Sequence, residues 1–401
     1  MRGVHCMQEL IASWRLHGIM LLIITLTEMV LNFGRIYLDS TVYIQLATTG
    51  TSPFRGVMIR FMLPYVASAV WKLTGYSSSL PALSVIISLI NCLFWAGAVV
   101  VSYGIGSLLR DRATGFFTAL FFTTSVPVLA YGSAVLTDMS GYFFVGLALL
   151  ILLADREGSP LRAATEGAVL ALGGFFHPTA FLGLSFTLVR RLFKGRALET
   201  LEGSALILVP VGLIAFVGGW FRRGLPFVSA LFPPYHLAQG PRFDQALLYT
   251  FGILGLGYLG VGLERRLPGP GIPVLTFALF ALVAILGIHA VARKHMVLVL
   301  GYLLVMTGPT VLGARFIERY LFYMWPSVVP LLVIGLGELV VLLSRLLDFA
   351  ARHGFQPRYL TIISEGFAKH RDLCVAICLS LGAVVNTSSV LSSLGPSTTK
   401  P

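Results

Sequence analysis

Apolar runs close to the ~20 residues that a helix needs to cross a bilayer recur along the whole 401-residue chain, separated mostly by short polar links. With 56% hydrophobic residues, 11% charged residues and a mean hydropathy of +0.86, the chain cannot clothe a water-soluble globule in polar groups. Repetition of whole apolar segments, not alternation, predicts helices and excludes a barrel of amphipathic strands. The expectation is one all-α domain over residues 1–391, a polytopic transmembrane bundle of roughly 10 to 12 spans, with a flexible Ser/Thr-rich tail at 392–401.

The excess of 29 Lys and Arg over 17 Asp and Glu, net +12, is scattered through the links. That placement fits a positive-inside topology and anionic lipid head groups, and no basic face suited to nucleic acid forms. Arg2 and Arg15 precede the apolar run Gly18 to Val30, which Glu28 interrupts, and no cleavage pattern follows. An uncleaved signal anchor with a cytoplasmic N-terminus in the cell membrane is expected. Cys6, Cys92, Cys374 and Cys378 form no zinc-type spacing or disulfide framework.

On this topology Asp39 emerges outside, and residues 40–80 form the first external loop, where the charged apolar stretch Val57 to Trp71 predicts an interfacial helix. Pro81 to Leu109, Ala113 to Ala130 and Met139 to Ala154 read as three crossings, which puts Asp138 on the side of Asp39. Between the basic links at Arg156/Arg162 and Arg190/Arg191, the stretch Ala163 to Val189 carries Gly173-Gly174 and His177-Pro178 at its middle. Two half-helices turning back inside the membrane satisfy both flanks; one kinked span is the alternative. A second external loop falls at 221–244, and further spans follow near 245–263, 272–291, 295–312, 320–343 and 373–391, whose parity does not close.

No P-loop, nucleophile elbow or HExxH is present, so any chemistry belongs to ionisable residues at the external ends of spans. Asp39 opens a helix-compatible run with Tyr43 one turn on, where helix capping is the plain alternative to catalysis. Arg55 and Arg60 suit a phosphate at the membrane surface, or snorkel to lipid. Asp138 after Thr137 serves equally as a helix cap, His177 beside Pro178 as donor to a freed carbonyl, and His236 faces the second loop. Arg315, Glu318 and Arg319 share a helical face that allows a structural ion pair.

The pattern Leu38-Asp39, Tyr43, Ala47, Pro53-Phe54, Arg60, Leu63-Pro64 resembles the first external loop of membrane proteins related to the GT-C glycosyltransferases, which take a sugar from a polyprenyl-phosphate carrier. Leu136-Thr137-Asp138 is similar to that superfamily's second acidic turn, His177-Pro178-Thr179 to its incomplete crossings, and Glu318-Arg319-Tyr320 to the start of a late span. The resemblance implies a cell-envelope transferase with Asp39 as base, Asp138 positioning acceptor or cation, and Arg60 and Arg319 clamping the leaving phosphate. Tyr43, Arg55, His177, His236, Glu318 and Tyr320 complete the substrate contacts. Asp39 and Asp138 would hold a divalent metal ion if one is used, and residues 40–80 contain no further carboxylate. A transporter or flippase of a lipid or small solute, drawing on Glu28 and Glu338 within spans, and a non-catalytic subunit of a membrane complex stay open as alternatives.

Overall fold

A computed structural model of the protein describes residues 14–31, 33–51, 62–75, 79–154, 160–177, 281–292, 325–353 and 357–393, together with scattered positions between 180 and 299. Among these residues every regular element is a helix: α1 (Trp14–Leu31), α2 (Leu38–Thr49), α3 (Met62–Leu73), α4 (Leu80–Leu109), α5 (Arg112–Thr123), α6 (Val126–Tyr131), α7 (Asp138–Ala154), α8 (Pro160–Phe176), α9 (Ala281–Ala292), α10 (Trp325–Arg352), α11 (Pro357–Lys369) and α12 (Arg371–Ser393). Three stretches, Leu80–Leu109, Val328–Arg352 and Arg371–Ser388, are long and apolar enough to cross a bilayer. The 221–244 loop and the apolar segments predicted near 245–263 and 295–312 lie largely or wholly outside the described residues.

The helices are arranged inside out for water. On α1, Ile19, Leu22, Ile23, Leu26 and Val30 recur at helical spacing and are each more than half exposed, while His17, Thr25 and Glu28 turn inward. Such a continuous apolar stripe is a liability in water and the expected surface in lipid. The core gathers Trp95, Phe121, Phe122, Tyr142, Val328 and Ile334 from α4, α5, α7 and α10.

Chain direction sorts the molecule into two ends. α4 runs from Ser79 to Arg110, where Asp111 caps α5 by accepting from the Thr114 amide at 2.7 Å. The return crossing, expected to be continuous from Ala113 to Ala130, is broken at Thr124-Ser125 between α5 and α6. Pro127, at the second position of α6, has no N–H to extend the α5 ladder. Around the break, Asn386 Nδ2 from α12 donates to Thr124 O at 2.9 Å, while Leu120 O and Phe122 O keep the Thr124 and Ser125 amides and accept the hydroxyls of the same two residues as well. α7 then runs back towards the Arg110 end.

Glu338, read from sequence as an acid within a late span, falls inside the apolar stretch Val328–Arg352 and meets Arg110, whose Nη1 donates to Oε1 at 2.8 Å. At ~1.5 Å per residue the last fourteen residues of α10 therefore run ~20 Å past the Arg110 end. α11 returns beside them, held by reciprocal Ser344–Ser364 hydroxyl-to-carbonyl bonds of 2.9 Å.

α8 ends at Phe176, and the described positions beyond it fold back. Ala180 faces Gly173, and Gly183 lies against the Leu170 side chain. In one continuous helix residues 170 and 183 would stand ~20 Å apart, so the chain reverses beyond His177, whose carbonyl accepts from the Ala180 amide at 3.0 Å.

α9 and α10 cross with backbones in contact. A Cβ on Gly287 would overlap the Leu331 carbonyl, and one on Gly335 the Val283 carbonyl, whereas at Gly337 the nearest atom is 3.7 Å away. Gly335→Val is expected to destabilise the protein by about 1–3 kcal/mol, the usual cost of overpacking, with Gly337→Ala close to neutral. Thermal unfolding of the two variants in detergent checks the contrast.

Candidate functional site

Residues 132–137, between α6 and α7, are not helical, yet Ser133, Ala134, Val135, Leu136 and Thr137 are all buried. Buried backbone without a helix must find partners elsewhere. Asn91 of α4 supplies two, its Nδ2 donating to Ala134 O and to Leu136 O, each at 2.7 Å. The Val135 amide donates to Arg35 O at 3.0 Å, and Ser133 Oγ to Met29 O at 2.9 Å. The link between α1 and α2 is thereby stitched to the segment that leads into Asp138.

The roof over this segment is α2 and α3. α4 is 30 residues long, ~45 Å, against a hydrocarbon core of ~30 Å. Asn91 lies eleven residues along it, so the first ~16 Å of α4 stands beyond the segment and carries the roof. Leu63, Ala67 and Trp71 of α3 pack there with Ala47 of α2, Leu83 and Ile87 of α4, and Val135. Of the stretch Val57 to Trp71, the residues from Met62 onward are described and belong to α3, with Leu63, Pro64, Ala67, Ser68 and Trp71 buried against the bundle.

Asp39 is the second residue of α2, not its cap. Tyr37 takes the cap position, its amide donating to Ser40 Oγ at 2.8 Å. Tyr37 also donates its hydroxyl to Ala130 O at 2.7 Å, and its ring lies 5.4 Å from that of Tyr131 with the Arg35 guanidinium 5.1 Å above it. One turn beyond Asp39, Tyr43 is 1% exposed and accepts at its hydroxyl from Thr137 Oγ1 at 3.2 Å. Thr137 is therefore committed to Tyr43, and Asp138 begins α7 as its first residue.

Asp138 is fully buried, as are its neighbours Thr137 and Ser140, and the Ser140 hydroxyl donates to Thr137 O at 2.6 Å. His177 is also fully buried, its amide donating to Gly173 O at 2.8 Å. The preceding Phe176 stacks on Phe144 at 5.4 Å, meets Phe94 edge-on at 5.1 Å and touches the roof cluster. Tyr43, Asp138, His177 and the start of α2 thus share one end of the bundle, opposite Arg110. Arg55, Arg60, His236, Glu318, Arg319 and Tyr320 fall outside the described residues, and so does the side chain of Asp39.

The described residues contain no group of three His, Cys, Asp or Glu side chains able to hold a metal ion. What the arrangement does provide is a buried polar floor, made by Asn91, Ser133, Thr137 and Asp138, that meets α2 through the Thr137–Tyr43 hydrogen bond. Reading the sequence for charges passed over Asn91 and Tyr37. Their signal was a lone carboxamide in the apolar run of α4 and a tyrosine just before the acid.

Comparison with protein-family models, with curated proteins and with solved structures gives no match.

Asn91→Leu leaves the Leu136 carbonyl buried without its described donor, while Ala134 O keeps the Leu136 amide at 2.8 Å, so it is expected to cost about 1–3 kcal/mol. Tyr43→Phe removes one neutral hydrogen bond and should cost only ~0.5–1.5 kcal/mol. Chemical unfolding of both variants checks the ranking; an Asn91→Leu protein as stable as Tyr43→Phe would contradict the clamp.

Proposed function

We propose that the protein is a GT-C-like glycosyltransferase that moves a sugar from a polyprenyl-phosphate carrier to an acceptor on the extracytoplasmic face. The observation behind the reading is the tie between the two acidic segments. Asp39 stands one turn before Tyr43 on α2, and Tyr43 holds the hydroxyl of Thr137, the residue before Asp138.

Asp39 is the base in this scheme. It takes the proton of the acceptor hydroxyl as that oxygen bonds to the anomeric carbon, and the bond from that carbon to the carrier phosphate breaks with its electron pair leaving on phosphate. Arg60 and Arg319 stabilise the departing charge. Asp138, sealed from solvent, acts as a positioning residue through the floor beneath α2 and does not touch substrate. No step is routed through a metal ion.

The transporter or flippase reading has its own support in Glu28. Its carboxylate is buried on α1, and its one described partner is the neutral hydroxyl of Thr387. Ionisable groups inside spans commonly mark solute pathways.

Membranes carrying the protein, supplied with radiolabelled polyprenyl-phosphate sugars, separate the readings. Asp39→Asn is expected to lower transfer about 10²- to 10⁴-fold, the contribution of a general base, with the thermal unfolding midpoint unchanged. Transfer retained by Asp39→Asn, or absent in the wild type across a panel of donors, overturns the transferase in favour of transport.

A further inference from the structure

Away from the floor under α2, α1 and α12 stand side by side over α5 and enclose a cleft of about 480 Å3, within the ~300–1,000 Å3 of small-molecule sites. Ile24, Phe117 and Ala383 line its apolar length. Both flanking helices face lipid, α1 through the Ile19 to Val30 stripe and α12 through Ile377, Leu381 and Val384. A molecule dissolved in the bilayer can therefore enter sideways.

The two extremities of the cleft differ in polarity. His17 sits at the end nearer Arg110, its ring stacked on Phe116 at 4.5 Å. Eleven residues along α1, roughly 16 Å away, stands Glu28. Glu28 is 8% exposed; Oε1 accepts from Thr387 Oγ1 at 3.1 Å, while Oε2 has no hydrogen-bond partner and no Lys or Arg pairs with it among the described residues. A carboxylate oxygen left unbonded at the end of an apolar slot is incomplete, because a buried charge calls for both a counter-charge and hydrogen bonds.

We propose that this cleft binds a long-chain amine, its hydrocarbon lying along α1 and its ammonium donating to Glu28. Head-group order selects the class. In a zwitterionic aminophospholipid the phosphate intervenes between the chains and the amine, and it would be pressed against the Glu28 carboxylate. A fatty acid or a polyprenyl phosphate meets the same repulsion. A primary amine attached directly to the chain brings cation and donors to the carboxylate at the depth where the apolar walls end. The site is distinct from the floor beneath α2, and it stands or falls independently of sugar transfer.

Full-length protein in nanodiscs of choline phospholipid, photolabelled with a diazirine-bearing alkylamine, tests the assignment. Labelling is expected on peptides of α1 and α12, displaced by dodecylamine and about ten- to hundredfold less well by dodecanol or dodecanoate, the margin of one charge-assisted hydrogen bond. Glu28→Gln should lose labelling by a similar factor. Ala383→Phe, which fills the slot and leaves the carboxylate intact, should abolish it, and serves if Glu28→Gln does not fold. Equal displacement by amine, alcohol and acid, displacement by an ethanolamine phospholipid as effective as by dodecylamine, or labelling elsewhere on the chain overturns the proposal.

Discussion

A peptide group in hydrocarbon has to be bonded by protein, and the architecture follows from where the helices fail to do that by themselves. Among the described residues two such places lie close together in the chain, the break at Thr124-Ser125 and the segment 132–137. At the first, Thr124 O is bonded by Asn386 from a helix late in the sequence; at the second, Asn91 and the backbone of Arg35 bond the peptide groups, and the Ser133 hydroxyl reaches Met29 O on α1. Both repairs reach across the fold. They bind α1, α4 and α12 to the irregular stretch between α5 and α7.

The consequence for function is a division of labour between elements. α2 carries the proposed base, but α2 is short and gains its position from what lies beneath and beside it: Tyr37 on Ala130, Tyr43 on Thr137, and Ala47 within the α3–α4 cluster. Reactive geometry on a loop-borne helix is only as good as the groups that immobilise it. Asp138 lies fully buried directly after Thr137, the residue that meets Tyr43. The turn at His177 closes the same end from the other side, through Phe176.

Much of the architecture was legible because hydrophobic length is a coarse signal that tertiary packing seldom overrides. The extents of α4 and α7 agree with the apolar runs nearly to the residue, and the reversal beyond His177 is one of the two readings that cation placement and a proline left open. Local readings fared less well where two residues competed for one role. Asp39 is a good capping residue in isolation, but Ser40 serves the Tyr37 amide at 2.8 Å and the helix starts one residue earlier. Glu338 does fall within the apolar run Val328–Arg352, but its partner Arg110 sits on another helix and could not be read from that run. Asn91 was overlooked for a related reason: the value of a lone carboxamide depends on which carbonyls fold against it, and those are more than forty residues away in sequence.

α4 carries one further implication. It is a single unbroken rod of 30 residues with the roof of α2 and α3 near its first turns and the Arg110–Glu338 pair just past its last. A rod longer than the bilayer core answers a change in membrane thickness by tilting. Tilting about the level of Asn91 would swing the roof one way and the Arg110 rim the other, so lipid composition would act on both faces of the protein through one lever.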